Sequence, residues 1–178
     1  MAKVRVATMW FSGCAGCHMS LLDIDEGLID LAGKIDLRNS PLTDLKVFPD
    51  DGVDVTLIEG AIGNEEHLHL ARTARMKSKI IIALGDCAVT GNVPAMRNGL
   101  DPNGVIERIY GSTVTSNGAL PYEVVPALLG RVRPLAEVIA VDYYLHGCPP
   151  PAGVIAKTIL ALVDGKTPEL AGPDLKFG

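Results

Sequence analysis

Short apolar runs alternate with amphipathic stretches along this chain, and that alternation predicts βαβ units built on a mainly parallel sheet. Lys3 to Met9 is β-branched and apolar and reads as a first strand. From His18 to Leu31 the apolar residues Met19, Leu21, Leu22, Ile24, Leu28, Ile29 and Leu31 recur at helical spacing and predict one helix. Leu45 to Phe48 fits a short strand, and Val53 to Glu59 a stronger one ending in Glu59-Gly60. Asn64 suits a helix cap and predicts a helix to about Met76. Ile80 to Leu84 reads as a buried strand, Val138 to Val141 as the last strand, and Ala152 to Val163 as a closing helix. The prolines before that helix fit its start, where a missing N–H costs nothing. Between Val89 and Val132 the patterning fades and Gly, Pro and Asn accumulate, which predicts a long functional excursion or a partner-facing segment. Residues 1–165 form one expected domain, and 166–178 an expected surface tail.

Composition narrows the class. The chain has 178 residues, 48% hydrophobic and 21% charged, enough for a sizeable core and incompatible with wholesale disorder. A net charge of −5 argues against a dedicated nucleic-acid binder, which carries a basic stripe. No apolar run approaches the ~20 residues a membrane span needs. The opening Met-Ala-Lys-Val-Arg-Val-Ala-Thr lacks a secretory pattern, so a cytoplasmic location is expected. In a reducing compartment four cysteines point to metal or redox chemistry rather than to two disulfides.

The cysteines fall at predicted strand ends. Cys14 and Cys17 follow the first strand, Cys87 follows Ile80–Leu84, and Cys148 follows Val138–Val141. An open parallel sheet binds ligands outside the carboxyl ends of its strands, so the four thiols are expected at one edge. Four thiolates suit a 4Fe–4S cluster and also a structural zinc. Zinc usually takes two short Cys knuckles, whereas only Cys14 and Cys17 form such a pair here. A lone Cys-x2-Cys also fits a thioredoxin-type redox pair, with Cys87 and Cys148 as ordinary buried thiols. A thiol-based or zinc-stapled binding module is the corresponding reading without electron transfer.

The loops themselves are recognisable. Trp10-Phe11-Ser12-Gly13-Cys14-Ala15-Gly16-Cys17-His18-Met19-Ser20 resembles the N-terminal signature of NiFe-hydrogenase small subunits. Ile58-Glu59-Gly60-Ala61-Ile62, Ala83-Leu84-Gly85-Asp86-Cys87-Ala88 with Gly91-Asn92-Val93-Pro94, and His146-Gly147-Cys148-Pro149-Pro150 resemble the same family's later motifs. Cys-His-Met-Ser and Leu22-Asp23-Ile24-Asp25-Glu26 are most similar to the cytoplasmic, bidirectional NAD-reducing branch. The resemblance implies a flavodoxin-like α/β domain with helices on both faces of the sheet. It implies one proximal 4Fe–4S cluster on Cys14, Cys17, Cys87 and Cys148, at the carboxyl edge of the strands. It also implies a large subunit with the NiFe centre, and diaphorase subunits carrying further Fe–S clusters and FMN on the way to NAD+. The chain alone is then not catalytic. Respiratory relatives carry a twin-Arg leader and a further cluster domain; neither is seen here, so a single-cluster relay is expected. The related complex I subunit has adjacent cysteines where Ala15 and Gly16 intervene here. Complex-I-like, F420-linked and heterodisulfide-linked oxidoreductases stay open as alternatives.

Other residues carry weaker signals. Glu59, at a buried strand end, is a candidate for proton transfer, with a solvated or capping carboxylate as the plain alternative. His18 and His146 flank ligand cysteines and suit supporting hydrogen bonds or interface contacts. His67 and His69 read as solvated positions on a helix surface. Asp23, Asp25 and Glu26 read as early helical residues favoured by the helix dipole. Trp10 and Phe11 suit a cover over the site, the core, or an interface. The Ser12–Gly16 turn stands where a flavodoxin holds FMN phosphate, but cysteines in it favour a cluster over a flavin.

Overall fold

A computed structural model describes residues 2–116 and 118–175. Met1, Asn117 and the last three residues of the 166–178 tail lie outside them. Seven strands form: β1 (Val4–Trp10), β2 (Ile35–Asn39), β3 (Val53–Glu59), β4 (Ile62–Asn64), β5 (Ser78–Leu84), β6 (Leu128–Arg133) and β7 (Tyr143–Leu145). Helices are α1 (Gly16–Leu22), α2 (Gly27–Lys34), α3 (Glu65–Lys77), α4 (Asp86–Thr90), α5 (Asn92–Ala95), α6 (Pro102–Ile106) and α7 (Ala152–Val163). Five strands pair in parallel in the order β2-β1-β3-β5-β7. Counted within this sheet the order is 2-1-3-4-5, the flavodoxin-like arrangement.

Period-two alternation in the central strands feeds two cores. Val55, Leu57, Ile82 and Leu84 face one cluster with Leu21, Leu31, Ile155 and Ile159 from α1, α2 and α7. Ile58, Ile81 and Ala83 face the other, with Ala71 and Ala74 of α3 and Leu135. Helices therefore cover both faces, as parallel strands buried on each side require. Asn64 caps α3 through its side chain, accepting from the His67 N–H at 2.8 Å. β3 and α7 form over the expected residues, and α3 ends one residue beyond expectation.

Four expectations need correction. The 18–31 helix is two helices, broken at residues 23–26 with Asp25 at φ 53°. Asp23, Asp25 and Glu26 therefore occupy the break rather than the early turns of one helix. Leu45–Phe48 is irregular, with Val47 84% exposed, while Ile35–Asn39 pairs with β1 instead. Val138–Val141 is not a strand: it follows a 3-10 turn at Leu135–Glu137 and packs Ile139 and Val141 on the α3-side core. The last strand starts at Tyr143 and spans three residues.

The 89–132 excursion is built of short pieces, including a π-helical turn at Glu107–Ser112. Its stem is fixed. Arg97 donates to the carbonyls of Gly63 and Leu129, both at 3.0 Å, and Asn98 exchanges two hydrogen bonds with the Val132 backbone. Antiparallel β4 and β6 complete the stem. Beyond α7, Asp174 returns to Lys157 at 2.6 Å and Leu170 packs on the first core, so the described part of the tail is tied down. Among the described residues no helix is long and apolar enough to cross a membrane.

Candidate metal centre

Strand register builds the site. Trp10 pairs with Glu59, Glu59 with Leu84, and Leu84 with Leu145, so four strands end in line. Each cysteine loop leaves from this edge. Cys14 follows β1, Cys17 lies in the first turn of α1, Cys87 in the first turn of α4, and Cys148 three residues past β7. All four thiols are free of disulfides; Cys17 is buried, Cys87 half-buried, and Cys14 and Cys148 exposed.

The loops approach one another closely. A Cβ on Gly85, at φ +81°, would overlap the Cys17 sulfur, so that position admits only glycine beside it. The Gly16 N–H donates to Cys14 Sγ at 3.4 Å. Burial pushes the Cys17 thiol up, reinforced by the charges of Glu59, Cys87, Cys14 and Cys148. Burial also raises Cys87, with Cys148 and Cys14 adding to it and the Val93 N–H opposing. The four sulfurs therefore share one electrostatic environment. Cys17 and Cys87 hold their protons more firmly than a free thiol until a cation favours the thiolate, as metal-binding thiols do. Among the described residues no group of three or more His, Cys, Asp or Glu side chains is arranged to hold a single metal ion.

Glu59 and His18 meet beneath the thiols. Glu59 is 1% exposed, and its Oε2 accepts from the His18 backbone N–H at 2.9 Å and the His18 Nδ1–H at 2.5 Å. His18 Nε2 is buried without a partner among the described residues. Sequence reasoning singled out both residues but not their pairing, because 41 positions separate them and only the sheet register unites them.

His67 departs from expectation. It is not solvated: its ring stacks on Phe11 at 5.0 Å between centroids and lies within 3.4 Å of Ser12 Oγ and the Gly63 N–H. Burial lowers its pKa to about 4, so it is neutral near pH 7. His69 is exposed, as expected. Phe11 belongs to the core and Trp10 is 48% exposed. Asp23, Asp25 and Glu26 make no hydrogen bond or ion pair through their side chains among the described residues, so nothing joins them to the site.

Comparisons with known proteins give the chain a family. Residues 14–162 match the family described as NADH ubiquinone oxidoreductase, 20 kDa subunit. The chain belongs to that family. Among its relatives is a subunit of the F420-non-reducing hydrogenase of Methanothermobacter marburgensis, 42% identical over 97% of this chain and 58% of that subunit. Another is the NAD-reducing hydrogenase HoxS subunit delta of Cupriavidus necator, 36% identical over 92% of this chain and 80% of that subunit. The chain thus spans well under two thirds of the methanogen protein's length. A solved structure of an NAD+-reducing NiFe-hydrogenase in the H2-reduced state superposes with a TM-score of 0.93 at 37% identity, covering 99% of this chain and all of that one. The resemblance to NiFe-hydrogenase small subunits is borne out by these relatives.

Proposed function

We propose that this chain is the electron-transfer small subunit of an NAD-reducing NiFe hydrogenase. In this reading it works in the cytoplasm, between the NiFe site of a large subunit and a diaphorase module with Fe–S clusters and FMN. The observation that carries the reading is the arrival of four free thiols from three loops at one sheet edge. Cys14, Cys17, Cys87 and Cys148 would hold one 4Fe–4S cluster, which supplies one-electron redox chemistry when bound. The donor set fits: all four are sulfur, the glycine at position 85 leaves the Cys17 sulfur its space, and backbone N–H groups of Gly16 and Val93 point at sulfur.

The chain's own residues have defined tasks in this reading. Core packing around Cys17 excludes water from the inner side of the site. Glu59 can hold a proton at Oε1, since both bonds from His18 go to Oε2 and none reaches Oε1 among the described residues. Exposed Met19 shares α1 with Cys17, Trp10 ends β1 ahead of Cys14, and exposed Val93 and Met96 follow α4; together they suit an apolar partner face. The excursion adds exposed Tyr122, Val124 and Val125, and Tyr122 and Val125 line a cavity of about 490 Å³ with Ile106, Ile109 and Tyr110. That supports the excursion as a partner-facing segment.

A second reading places the chain in a hydrogenase of the F420-non-reducing type, supported by the 42% identity to the Methanothermobacter marburgensis relative. Coverage of the whole NAD+-reducing chain at TM-score 0.93 favours the first. H2-driven NAD+ reduction by the anaerobically purified native complex distinguishes them. Reduction is the expected result, and H2 oxidation with artificial acceptors but not NAD+ would move the chain to the second reading.

A further inference from the structure

The loop that bears Cys148 reads Gly147-Cys148-Pro149-Pro150-Pro151. Three prolines in a row have no N–H to donate, so this loop cannot anchor itself through a backbone ladder. Only Gly147 and Cys148 offer amide donors. Something else must fix where the Cys148 sulfur stands.

Two side chains from distant elements do so. Asp86, one residue before Cys87, accepts the Gly147 N–H on Oδ1 at 2.9 Å, and its own N–H donates to the Gly147 carbonyl at 3.0 Å. The two residues therefore form a closed ring of hydrogen bonds between the Cys87 and Cys148 loops. The Gly85 N–H adds a third bond to the Leu145 carbonyl at 2.8 Å. From the other side, buried Ser20 on α1, one turn past Cys17, donates its hydroxyl to the Pro150 carbonyl at 2.6 Å. Gly147 itself has φ +129°, and a Cβ there would lie 2.6 Å from Pro150 Cα, so the loop has one conformation to be held in.

We propose that Asp86 and Ser20 are positioning residues that lock the Cys148 loop against the Cys87 and Cys17 elements and so set the geometry of the four-thiol site. Asp86 is the larger contributor, because its bond to Gly147 is to a charged acceptor. Neither residue touches sulfur in this role; each acts through the Gly147–Pro150 backbone. The inference rests on the cluster reading above for its effect on the metal centre, but the crosslink itself does not.

The test uses the native complex, purified anaerobically, with Asp86→Ala, Asp86→Asn and Ser20→Ala in this chain. Two quantities are read: hydrogen exchange at the Gly147 amide, and the electron paramagnetic resonance spectrum after reduction, with iron content alongside. Asp86→Ala is expected to speed Gly147 exchange roughly tenfold or more, the size of one lost hydrogen bond to a charged group, and to change the spectrum. Asp86→Asn keeps an oxygen that accepts from Gly147 and is expected to restore both. Ser20→Ala is expected to change the spectrum in the same sense by less. Wild-type exchange in Asp86→Ala overturns the crosslink. Faster exchange with a wild-type spectrum reduces it to a structural contact and overturns the positioning role. If Asp86→Ala does not fold, Ser20→Ala decides: an unchanged spectrum overturns the role. A wild-type complex without iron overturns the cluster reading instead, and Gly147 exchange in Asp86→Ala then decides the crosslink separately.

Discussion

The thiol edge and the 89–132 excursion are both loop regions, yet they are made in opposite ways. At the thiol edge each loop is short, leaves an aligned strand end, and is tied to its neighbours by buried or half-buried bonds such as His18–Glu59, Asp86–Gly147 and Ser20–Pro150. Among the described residues the excursion is tied to the rest of the fold at its stem, through Arg97, Asn98 and the β4–β6 pairing, and turns Tyr122, Val124 and Val125 outward. One region commits its polar groups to internal order, as a preorganised ligand site must. The other leaves apolar surface uncovered, as a surface made for another protein does. Under the proposed function the first region is the metal centre and the second a partner-facing surface.

The contrast can be broken most severely at a ligand. Cys87→Ala should abolish the intact centre, read as lost iron and lost visible absorbance with the far-UV spectrum retained; an unchanged iron content would remove Cys87 from the ligand set. Gly85→Ala is next. It forces φ +81° and ψ 164°, a conformation essentially confined to glycine, on a residue with a Cβ aimed at the Cys17 sulfur, and the backbone strain alone costs about 1–3 kcal/mol. Reduced iron loading and a lowered unfolding midpoint are expected, and wild-type values in both would show that the two loops are not in contact.

Glu59→Gln should leave iron in place and slow H2 turnover by about 10²-fold or more, the usual scale for losing a proton-transfer group. Full turnover with normal iron would return Glu59 to a purely structural role. At the excursion, Val125→Asp should weaken co-purification of partners by an amount near ~1–2 kcal/mol, while iron per chain stays constant. Loss of iron in that variant would mean that the two regions are not independent.

The smallest effect concerns pH. His67 titrates near 4 in the fold, against about 6.5 in the unfolded chain. Between those values the unfolded chain binds more protons, so stability rises with pH there. The contribution is whole above about 6.5 and is lost as pH falls toward 4. Denaturation midpoints at about pH 7 and about pH 4.5 should differ less in His67→Phe than in wild type, and equal differences would contradict the buried neutral ring.

Much of this was legible in the sequence, and the reasons differ by region. β3, α3 and α7 follow from strong local patterns and an Asn cap, and the four cysteines could be placed at one edge because parallel strands order their carboxyl ends alike. Less local features were hidden. The apolar run Val138–Val141 looks like a strand but serves as packing from a turn, while the actual last strand, Tyr143–Leu145, is too short to announce itself. The break at Asp25 lies inside an unbroken helical pattern, since Leu21 and Leu31 reach the same core from separate helices. His67 looked solvated because its partners, Phe11 and Ser12, are more than fifty residues away in the chain. Pairings of that kind, including His18 with Glu59, exist only once the register is set.

The proposed function puts this chain beside a NiFe site, passing electrons from it. Nickel content of the complex, captured anaerobically on a tag carried by this chain, tests it most directly. Nickel in stoichiometric amount with the chain, together with iron, is the expected result. Iron without nickel would contradict the hydrogenase role and leave a cluster-bearing subunit of a complex-I-like enzyme.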